Sequence, residues 1–478
     1  MKNEGRAEAT RRVWLETIER HRHDRDRPGS HRYWSPKLDT ASRDELRAIQ
    51  DDKIAAVAPF LYENSPFYRR RFGRLGLVPS DIKSVDDLVA KWPVLDKAEM
   101  VEDAAAHPPY GTFTAMTDAL WAERGWMMFS SSGSTGTPRV FRYSHVDREL
   151  WAWANARAMH AMDFRPGDTV FMITGFGPHV WAWGVEMALA KMGLPSIPGG
   201  GMDAKARANI VLRFKPTILL CTPSYALHLG RVLQELGADP RQTAVRTLFV
   251  GGEPGLSVPA TRGRIEELWD ARLVEFYGCT EASPHAGGYS CDATQRGKEP
   301  VATHLMEDTQ VWEVVDPQTR AALPDGARGL TVCTNLNSES SPQLRFLVGD
   351  YTVLDRSTCA CGRTHARARG SFSGRADDLI NLRGIKMFPV QIEEAVRAIA
   401  GSGDEFEIVL AANADGLDIM TVRMEHATHE APDRLARALA DEIRSRCEVR
   451  VSIEVLRPGS LPKTEFKAKR VRDLRRKT

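Results

Sequence analysis

The 478-residue sequence predicts an α/β protein with a large N-terminal domain of parallel βαβ sheets and a small C-terminal α+β domain. From about residue 140, apolar β-branched runs alternate with helical stretches, which is typical of strands covered on both faces. Near Arg375 the composition shifts, and two helices and three short strands follow within a usual domain size of about a hundred residues. We therefore predict one domain over 1–376 and a second over 377–478.

The segment before the alternating pattern is different in composition. Its first forty residues are polar and rich in Arg and His, which predicts a loosely docked arm. A helix is then expected to begin at Ser42, because Ser42 and Glu45 have capping-box spacing and apolar residues recur from Leu46 to Val57.

The alternating region predicts four strands, each followed or preceded by a helix. The strands are Thr169–Thr174, Thr217–Cys221, Thr247–Val250 and Leu273–Tyr277, and the helices are 148–162, 204–214, 224–236 and 260–269. Ligands of such sheets bind at the carboxyl ends of the strands. The residues that end the last strand are therefore expected to face a cleft.

Bulk properties exclude several classes of protein. The net charge is +2, with 65 basic and 63 acidic residues, so no overall field favours nucleic acid or an anionic membrane. No apolar run reaches the roughly 18 residues that span a bilayer, and the charged N-terminus resembles no signal peptide. We therefore expect a cytoplasmic protein without a disulfide framework. The basic run from Lys463 leaves a nucleic-acid-binding arm as an alternative.

A loop rich in glycine and hydroxyl residues follows an apolar run near residue 130. Glycines let backbone N–H groups approach phosphate oxygens, and Ser and Thr hydroxyls add donors, so the loop predicts polyphosphate binding. A flexible polar loop is the alternative. The residues concerned are Ser131, Ser132, Gly133, Ser134, Thr135 and Gly136.

Four later segments complete an order of motifs with this loop. They are Glu275–Glu281, Leu347–Asp350, Gly374–Gly384 and Leu461–Arg470. In order and spacing the five segments resemble the core motifs of the adenylate-forming (acyl-CoA synthetase) superfamily. Within it the sequence is most similar to phenylacetate-CoA ligases, through Asn64–Tyr68, Thr222–Tyr225 and Cys359–Arg363.

The resemblance implies an enzyme that uses ATP and Mg²⁺ to adenylate a carboxylic acid, and then transfers the acyl group to coenzyme A. An aromatic or arylalkanoic acid is expected, and a homodimer is compatible with the family. An amine or a carrier-protein thiol remains open as the acceptor. Nucleic-acid and membrane partners are not expected.

Three residues are implied to be catalytic. Lys467 occupies the position of the superfamily's C-terminal lysine, which brings positive charge to the α-phosphate and the acid, with Lys463 and Lys469 as rivals. Thr280 is expected to contact the α-phosphate, and Glu281 to hold Mg²⁺.

The nucleotide is implied to lie on residues from several segments. Tyr277 offers a face for adenine, although a core aromatic is the alternative, and Asp350 is implied to bind the ribose hydroxyls. The remaining candidates are Glu275, Phe276 and Gly278 of the strand end, the loop of Gly252, Glu253 and Pro254, and Arg375.

The joint and the acid pocket complete the implied machinery. Asp377 is implied to be the hinge about which a mobile C-terminal domain turns between two reaction steps, with a surface salt-bridged turn as the alternative. The resemblance implies that the acid is recognised near the loop after residue 175. The alternative is that the tryptophans of this segment anchor the hydrophobic core. The candidates are Phe176, Gly177, His179, Trp181 and Tyr225.

Three cysteines and a histidine form a candidate metal site. Cys359 and Cys361, with Cys291 and His304 upstream, offer three sulfurs and one nitrogen, a set that suits tetrahedral structural Zn²⁺. Reduced thiols without a metal are the alternative.

Overall fold

The fold is that of a computed structural model, which describes residues 2–24, 31–131, 139–293, 301–383, 385–413, 417–427, 431–463, 468 and 470–475. Seven α-helices come first among the described residues. They are α1 (Lys2–His21), α2 (Pro36–Asp39), α3 (Arg43–Asn64), α4 (Pro66–Leu75), α5 (Val85–Lys91), α6 (Lys97–Ala106) and α7 (Asp118–Arg124). None of the described helices combines the length and the hydropathy needed to cross a bilayer.

Helix α3 begins as predicted, whereas the predicted N-terminal arm is wrong. Ser42 caps α3 in a capping box with Glu45. The N-terminal segment contains α1, in which Trp14 and Ile18 are fully buried. Their spacing of four places both on one face of the helix, and the Trp14 ring stacks on Phe60 at 5.3 Å. Two anchoring side chains thus outweigh a polar average composition.

The central part of the chain alternates strands and helices. It contains β1 (Gly125–Ser130), β2 (Val140–Ser144), α8 (His145–Ala161), β3 (Val170–Met172), α9 (Val180–Met192), β4 (Ser196–Pro198), α10 (Ala204–Phe214), β5 (Ile218–Cys221), α11 (Pro223–Glu235), β6 (Thr247–Val250), α12 (Pro259–Trp269) and β7 (Arg272–Cys279). The four strands and four helices predicted for this region are all present, with ends shifted by a few residues.

An antiparallel extension follows β7 and completes one large sheet. Its strands are β8 (Ser283–Tyr289), β9 (Ala302–Leu305), β10 (Gln310–Val315), β11 (Arg328–Asn335), β12 (Gln343–Asp355) and β13 (Arg367–Arg369). The eleven strands run in the order β10-β11-β12-β13-β9-β8-β7-β6-β5-β3-β4, and the last five are parallel to one another. Strand β7 therefore lies where the parallel and antiparallel parts meet.

Both faces of the parallel part are buried. Along β3, Val170 and Met172 belong to one hydrophobic cluster, and Phe171 belongs to another on the opposite face. Side chains alternate between faces along a strand, so helices must cover both sides. This double burial explains why these strands appear in the sequence as continuous apolar runs.

The C-terminal part of the chain has its own hydrophobic core. It contains β14 (Ile380–Leu382), β15 (Ile385–Met387), α13 (Pro389–Ala398), β16 (Ser402–Ala412), β17 (Asp418–His426), α14 (Pro432–Cys447), β18 (Ser452–Leu456) and β19 (Val471–Asp473). The sheet order is β18-β17-β16-β19, and the buried cluster extends from Ile380 to Val449. We call this unit the small lobe and the preceding one the large lobe.

Polar contacts join the two lobes. Arg264 on α12 donates to the carbonyl oxygens of Arg397 (2.6 Å) and Ile399 (3.2 Å), at the C-terminal end of α13. A guanidinium suits that end because the helix dipole is negative there. On α11, Arg231 donates to Asp404 at 2.7 Å.

Candidate active site

The turn after β7 brings a carboxylate and a buried cation together. Glu281 follows Cys279, the last residue of β7, and forms an ion pair with Arg139. Arg139 exposes only 3 % of its surface and directly precedes β2. The adjacent Thr280 is held through its carbonyl oxygen, which accepts from the Tyr143 hydroxyl at 3.0 Å. The turn is thus fixed beside Arg139, which follows the glycine-rich loop in the sequence.

That loop connects β1 and β2, which form an antiparallel hairpin. At its base Ser131 N donates to Arg139 O at 3.0 Å, and the Ser131 hydroxyl accepts from Arg139 N at 3.2 Å. Ser130 N donates to Pro178 O at 2.8 Å, which links the hairpin to the predicted acid-binding segment. The other predicted phosphate-binding residues, Ser132, Gly133, Ser134, Thr135 and Gly136, lie outside the described residues.

Tyr277, Asp350 and Arg375 meet from three separate segments. The Tyr277 hydroxyl donates to Asp350 Oδ2 at 2.5 Å, and Arg375 Nη1 donates to Asp350 Oδ1 at 3.3 Å. Burial, together with the neighbouring Asp350 carboxylate, raises the pKa of Tyr277 well above its usual value. Phe372, which sequence reasoning missed, stacks on the tyrosine ring at 3.5 Å. One ring face is therefore covered by protein.

Other predicted nucleotide residues on β7 are placed differently. Glu275 is buried within the sheet, where the Ser371 and Thr303 hydroxyls and the backbone N–H of Leu256 donate to its carboxylate. Burial raises the pKa of Glu275. Phe276 is also buried and packs edge-on against Phe249, whereas Gly278 is exposed. Contact of Glu275 and Phe276 with a nucleotide stays a prediction.

The loop after β6 contains Gly252, Glu253 and Pro254. Gly252 has φ +83°, a left-handed conformation that favours glycine. The Glu253 carboxylate accepts from Ser224 N at 2.7 Å and from the Ser224 hydroxyl, and it also accepts from Ala468 N of the small lobe at 3.1 Å. Burial raises its pKa. Glu253 therefore connects the lobes, a role that the sequence did not indicate.

The predicted acid-binding residues lie at the carboxyl ends of β3 and β5. Gly177, His179 and Tyr225 line a cavity of about 980 Å³. Phe176 packs edge-on against Trp183 at 4.9 Å. Trp181 does not line this cavity but packs against Phe249 at 6.5 Å, close to the backbone of Gly251. The structure thus brings three of these five residues to one cavity.

The joint between the lobes and the predicted catalytic lysine are only partly described. Arg375 forms an isolated β-bridge with Asp350, and a short 3-10 helix, Ala376–Asp378, follows. The backbone of Asp377 belongs to this helix, and its hinge role stays a prediction. Lys467 lies outside the described residues.

The candidate metal ligands converge, although they come from three segments of the chain. The ligand atoms of Cys291, His304, Cys359 and Cys361 all lie within 4.8 Å of one another, and His304 Nε2 is 3.4 Å from Cys361 Sγ. Donors around tetrahedral zinc are about 3.8 Å apart, given bond lengths of about 2.3 Å to sulfur. Hydrogen bonding among the thiols lowers the pKa of Cys361 and raises that of Cys291.

Comparisons with known proteins agree with this architecture. The family model described as AMP-binding enzyme matches residues 80–334, and the AMP-binding enzyme C-terminal domain matches residues 384–475. The chain is 30 % identical to the phenylacetate-coenzyme A ligase of Thermus thermophilus, covering 93 % of this chain and all of the relative. It is 31 % identical to that of Aromatoleum evansii, covering 92 % and 97 % of the two chains.

Solved structures extend the comparison to the arrangement of the lobes. A crystal structure of 2-hydroxyisobutyryl-CoA ligase in the postadenylation state, in complex with 2-HIB-AMP, superposes with a TM-score of 0.86 at 30 % identity, covering 95 % of each chain. The same ligase with 2-HIB-AMP and CoA in the thioesterification state gives 0.71 at the same coverage. With one family model spanning more than half of its length, this chain belongs to the AMP-binding enzyme family.

Proposed function

We propose that this protein is an ATP-dependent ligase that adenylates a carboxylic acid and transfers the acyl group to coenzyme A, releasing AMP and pyrophosphate. The observation that carries the proposal is the meeting of Tyr277, Asp350 and Arg375, beside the turn of Thr280 and Glu281. Membership of the AMP-binding enzyme family and similarity to two CoA ligases over more than nine tenths of the chain support it.

In the first step the acid carboxylate attacks the α-phosphate, forming an acyl–phosphate bond, and pyrophosphate leaves. Two anions approach each other, so the enzyme must direct positive charge at the phosphate. Lys467 is proposed to supply that charge, with the Thr280 hydroxyl as a further donor. Asp350 is proposed to accept from the ribose hydroxyls, and its contacts with Tyr277 and Arg375 hold its carboxylate in place.

In the second step the CoA thiol attacks the acyl carbonyl carbon, a thioester bond forms and AMP leaves. The small lobe is proposed to turn about Asp377 between the steps. The present lobe arrangement is proposed to be that of the first step, and the higher TM-score with the postadenylation state than with the thioesterification state supports this. Arg264, whose partners are on the small lobe, would release them on turning.

Glu281 is the residue proposed to hold Mg²⁺, which neutralises phosphate charge when bound. A carboxylate oxygen is a ligand that Mg²⁺ prefers, so the donor fits. Arg139 pairs with this carboxylate and therefore competes with the metal for it.

We favour an aromatic or arylalkanoic acid. Tyr225 and Gly177 line the 980 Å³ cavity, where the tyrosine ring offers an aromatic face, and Phe176 next to Gly177 packs on Trp183. Apolar rings exclude water from the reacting carboxylate and favour a planar substrate.

Cys291, His304, Cys359 and Cys361 are proposed to hold a structural Zn²⁺, which ties their segments together when bound. A turn supports the pair of cysteines, because Gly362 N donates to Cys359 O at 2.8 Å and Cys359 N donates to Arg363 O at 3.0 Å. Elemental analysis should find about one zinc per chain in the wild type and in Cys447→Ser, and a loss in Cys361→Ser. Equal zinc contents in the two variants would refute the site.

The activity is tested with a panel of aromatic and aliphatic acids in a pyrophosphate-exchange assay. We expect exchange that depends on the acid, and a loss of about a hundredfold or more in Lys467→Ala but not in Lys469→Ala. CoA should then accelerate AMP release, whereas an amine or a carrier-protein thiol should not. Exchange with none of the acids, or acceleration by an amine alone, would overturn the proposed function.

A further inference from the structure

The cavity beside the acid-binding segment contains a buried arginine that the proposed chemistry does not use. Arg207 lines it together with Gly177, His179 and Tyr225, although only 9 % of the Arg207 surface is exposed. A charged group so deeply buried is costly unless something pairs with it.

The position of the Arg207 side chain is fixed by two contacts. Its Nε donates to Gly199 O at 3.1 Å, just beyond β4, and its guanidinium carbon lies 4.9 Å from the centre of the Tyr225 ring. These contacts hold the guanidinium plane, yet they use only one of its five N–H donors. The terminal nitrogens are therefore preorganised for a planar oxygen ligand.

Arg207 lacks an ion-pair partner among the residues that the structure describes. Within the described ranges, no carboxylate forms an ion pair with Arg207, and its terminal nitrogens have no hydrogen-bond partner. The charged side chains elsewhere on the cavity wall are Lys205, Lys463, Asp203 and Glu235, whose charges cancel. An anionic oxygen group entering the cavity would supply the absent partner.

The sheet order places this group apart from the nucleotide end of the site. Arg207 packs on Tyr225, which follows β5, and two strand spacings, or about 10 Å, separate β5 from β7 beside Glu281. A ligand of Arg207 is thus not the carboxylate that attacks the α-phosphate. It is the remote end of a molecule that reaches into the cavity.

We propose that Arg207 forms an anion subsite for a carboxylate or phosphate carried by a substrate at a distance from its reacting group. The proposal rests on the proposed ligase function. Two molecules carry such a group, namely an acid with a second carboxylate and coenzyme A with its phosphates. The acid is favoured, because Lys463 of the small lobe helps to enclose the cavity in the arrangement that precedes thioester formation.

The test compares Arg207→Met with Arg213→Met, an exposed arginine on the same helix, in two arms. The first arm measures acid-dependent pyrophosphate exchange, without CoA, for 1,4-phenylenediacetate and 4-methylphenylacetate. We expect Arg207→Met to lower kcat/KM for the diacid about tenfold or more, because an ionic hydrogen bond is lost, and to change the methyl compound little. Arg207→Lys should recover part of this selectivity, since it keeps the charge but loses the planar fork.

The second arm measures thioester formation with CoA, dephospho-CoA and pantetheine. A rise of about tenfold in the KM for CoA but not for pantetheine, with unchanged exchange, would assign the subsite to a CoA phosphate. The proposal is overturned if Arg207→Met matches Arg213→Met in both arms, or if it weakens both acids equally. Absence of exchange in the wild type would instead refute the ligase function itself.

Discussion

Replacing Glu253 should slow adenylation much more than thioester formation. Its carboxylate accepts from Ser224 N at 2.7 Å in the large lobe and from Ala468 N at 3.1 Å in the small lobe. Ala468 directly follows Lys467, so this hydrogen bond tethers the peptide next to the predicted catalytic lysine. A hydrogen bond to a charged group contributes about 1.5–3 kcal/mol, which corresponds to about 10- to 150-fold in rate if it is felt only in the transition state.

Two substitutions remove the charge together with one or both of these hydrogen bonds. Ser224 N and Ala468 N donate to different carboxylate oxygens, so Glu253→Gln, whose amide nitrogen can only donate, keeps at most one of the two contacts. Glu253→Ala removes both contacts. Glu267→Gln changes an exposed carboxylate on α12 and is the matched control.

The assay separates the two half-reactions. Pyrophosphate exchange reports the first, and CoA consumption with a supplied acyl-adenylate reports the second. We expect both Glu253 variants to lower the kcat of exchange with a change of less than about twofold in the KM for ATP, and to leave the second step near wild type. A raised KM for ATP at constant kcat would instead support direct nucleotide binding by Glu253, and equal slowing of both steps would refute the tether.

Three further outcomes follow from buried or paired charges. Arg264→Ala should lower the ratio of adenylation to thioester formation, because it removes the contacts of 2.6 and 3.2 Å that hold the small lobe; an unchanged ratio would contradict this. Arg139→Met should lower the Mg²⁺ concentration needed for half-maximal pyrophosphate exchange, because Glu281 loses a competing cation. A magnesium titration of exchange measures this concentration. Burial lowers the pKa of His160 from 6.5 to about 4. Between these two pH values the unfolded state binds more protons than the folded state. The free energy of unfolding should therefore fall as the pH drops through this range. His160→Gln should flatten that fall, as followed by urea denaturation at pH 7 and pH 5, and an equally steep fall would assign it to other groups.

Local pattern was sufficient to predict most helices and strands of this protein. The capping box at Ser42 and the apolar run Thr247–Val250 are confirmed, since each depends on neighbours a few residues away. The polar average composition of the N-terminal segment led to a wrong prediction of a loosely docked arm. Two buried residues of α1, Trp14 and Ile18, pack it against the protein instead. The four cysteine and histidine side chains selected from the sequence lie together, and their binding of zinc stays a prediction.

The sequence by itself determined the order of the elements and the chemical types available at the ends of the strands. Only the tertiary structure decided which of these groups are in contact. Tyr277 is hydrogen-bonded to Asp350, 73 residues away in sequence, and Glu253 to Ala468, 215 residues away. The tertiary structure also placed Arg207 in a cavity without an ion-pair partner among the described residues. The physical reason is that hydrogen bonds and ion pairs depend on distances of a few ångströms, which sheet order and lobe packing set and which no local periodicity encodes.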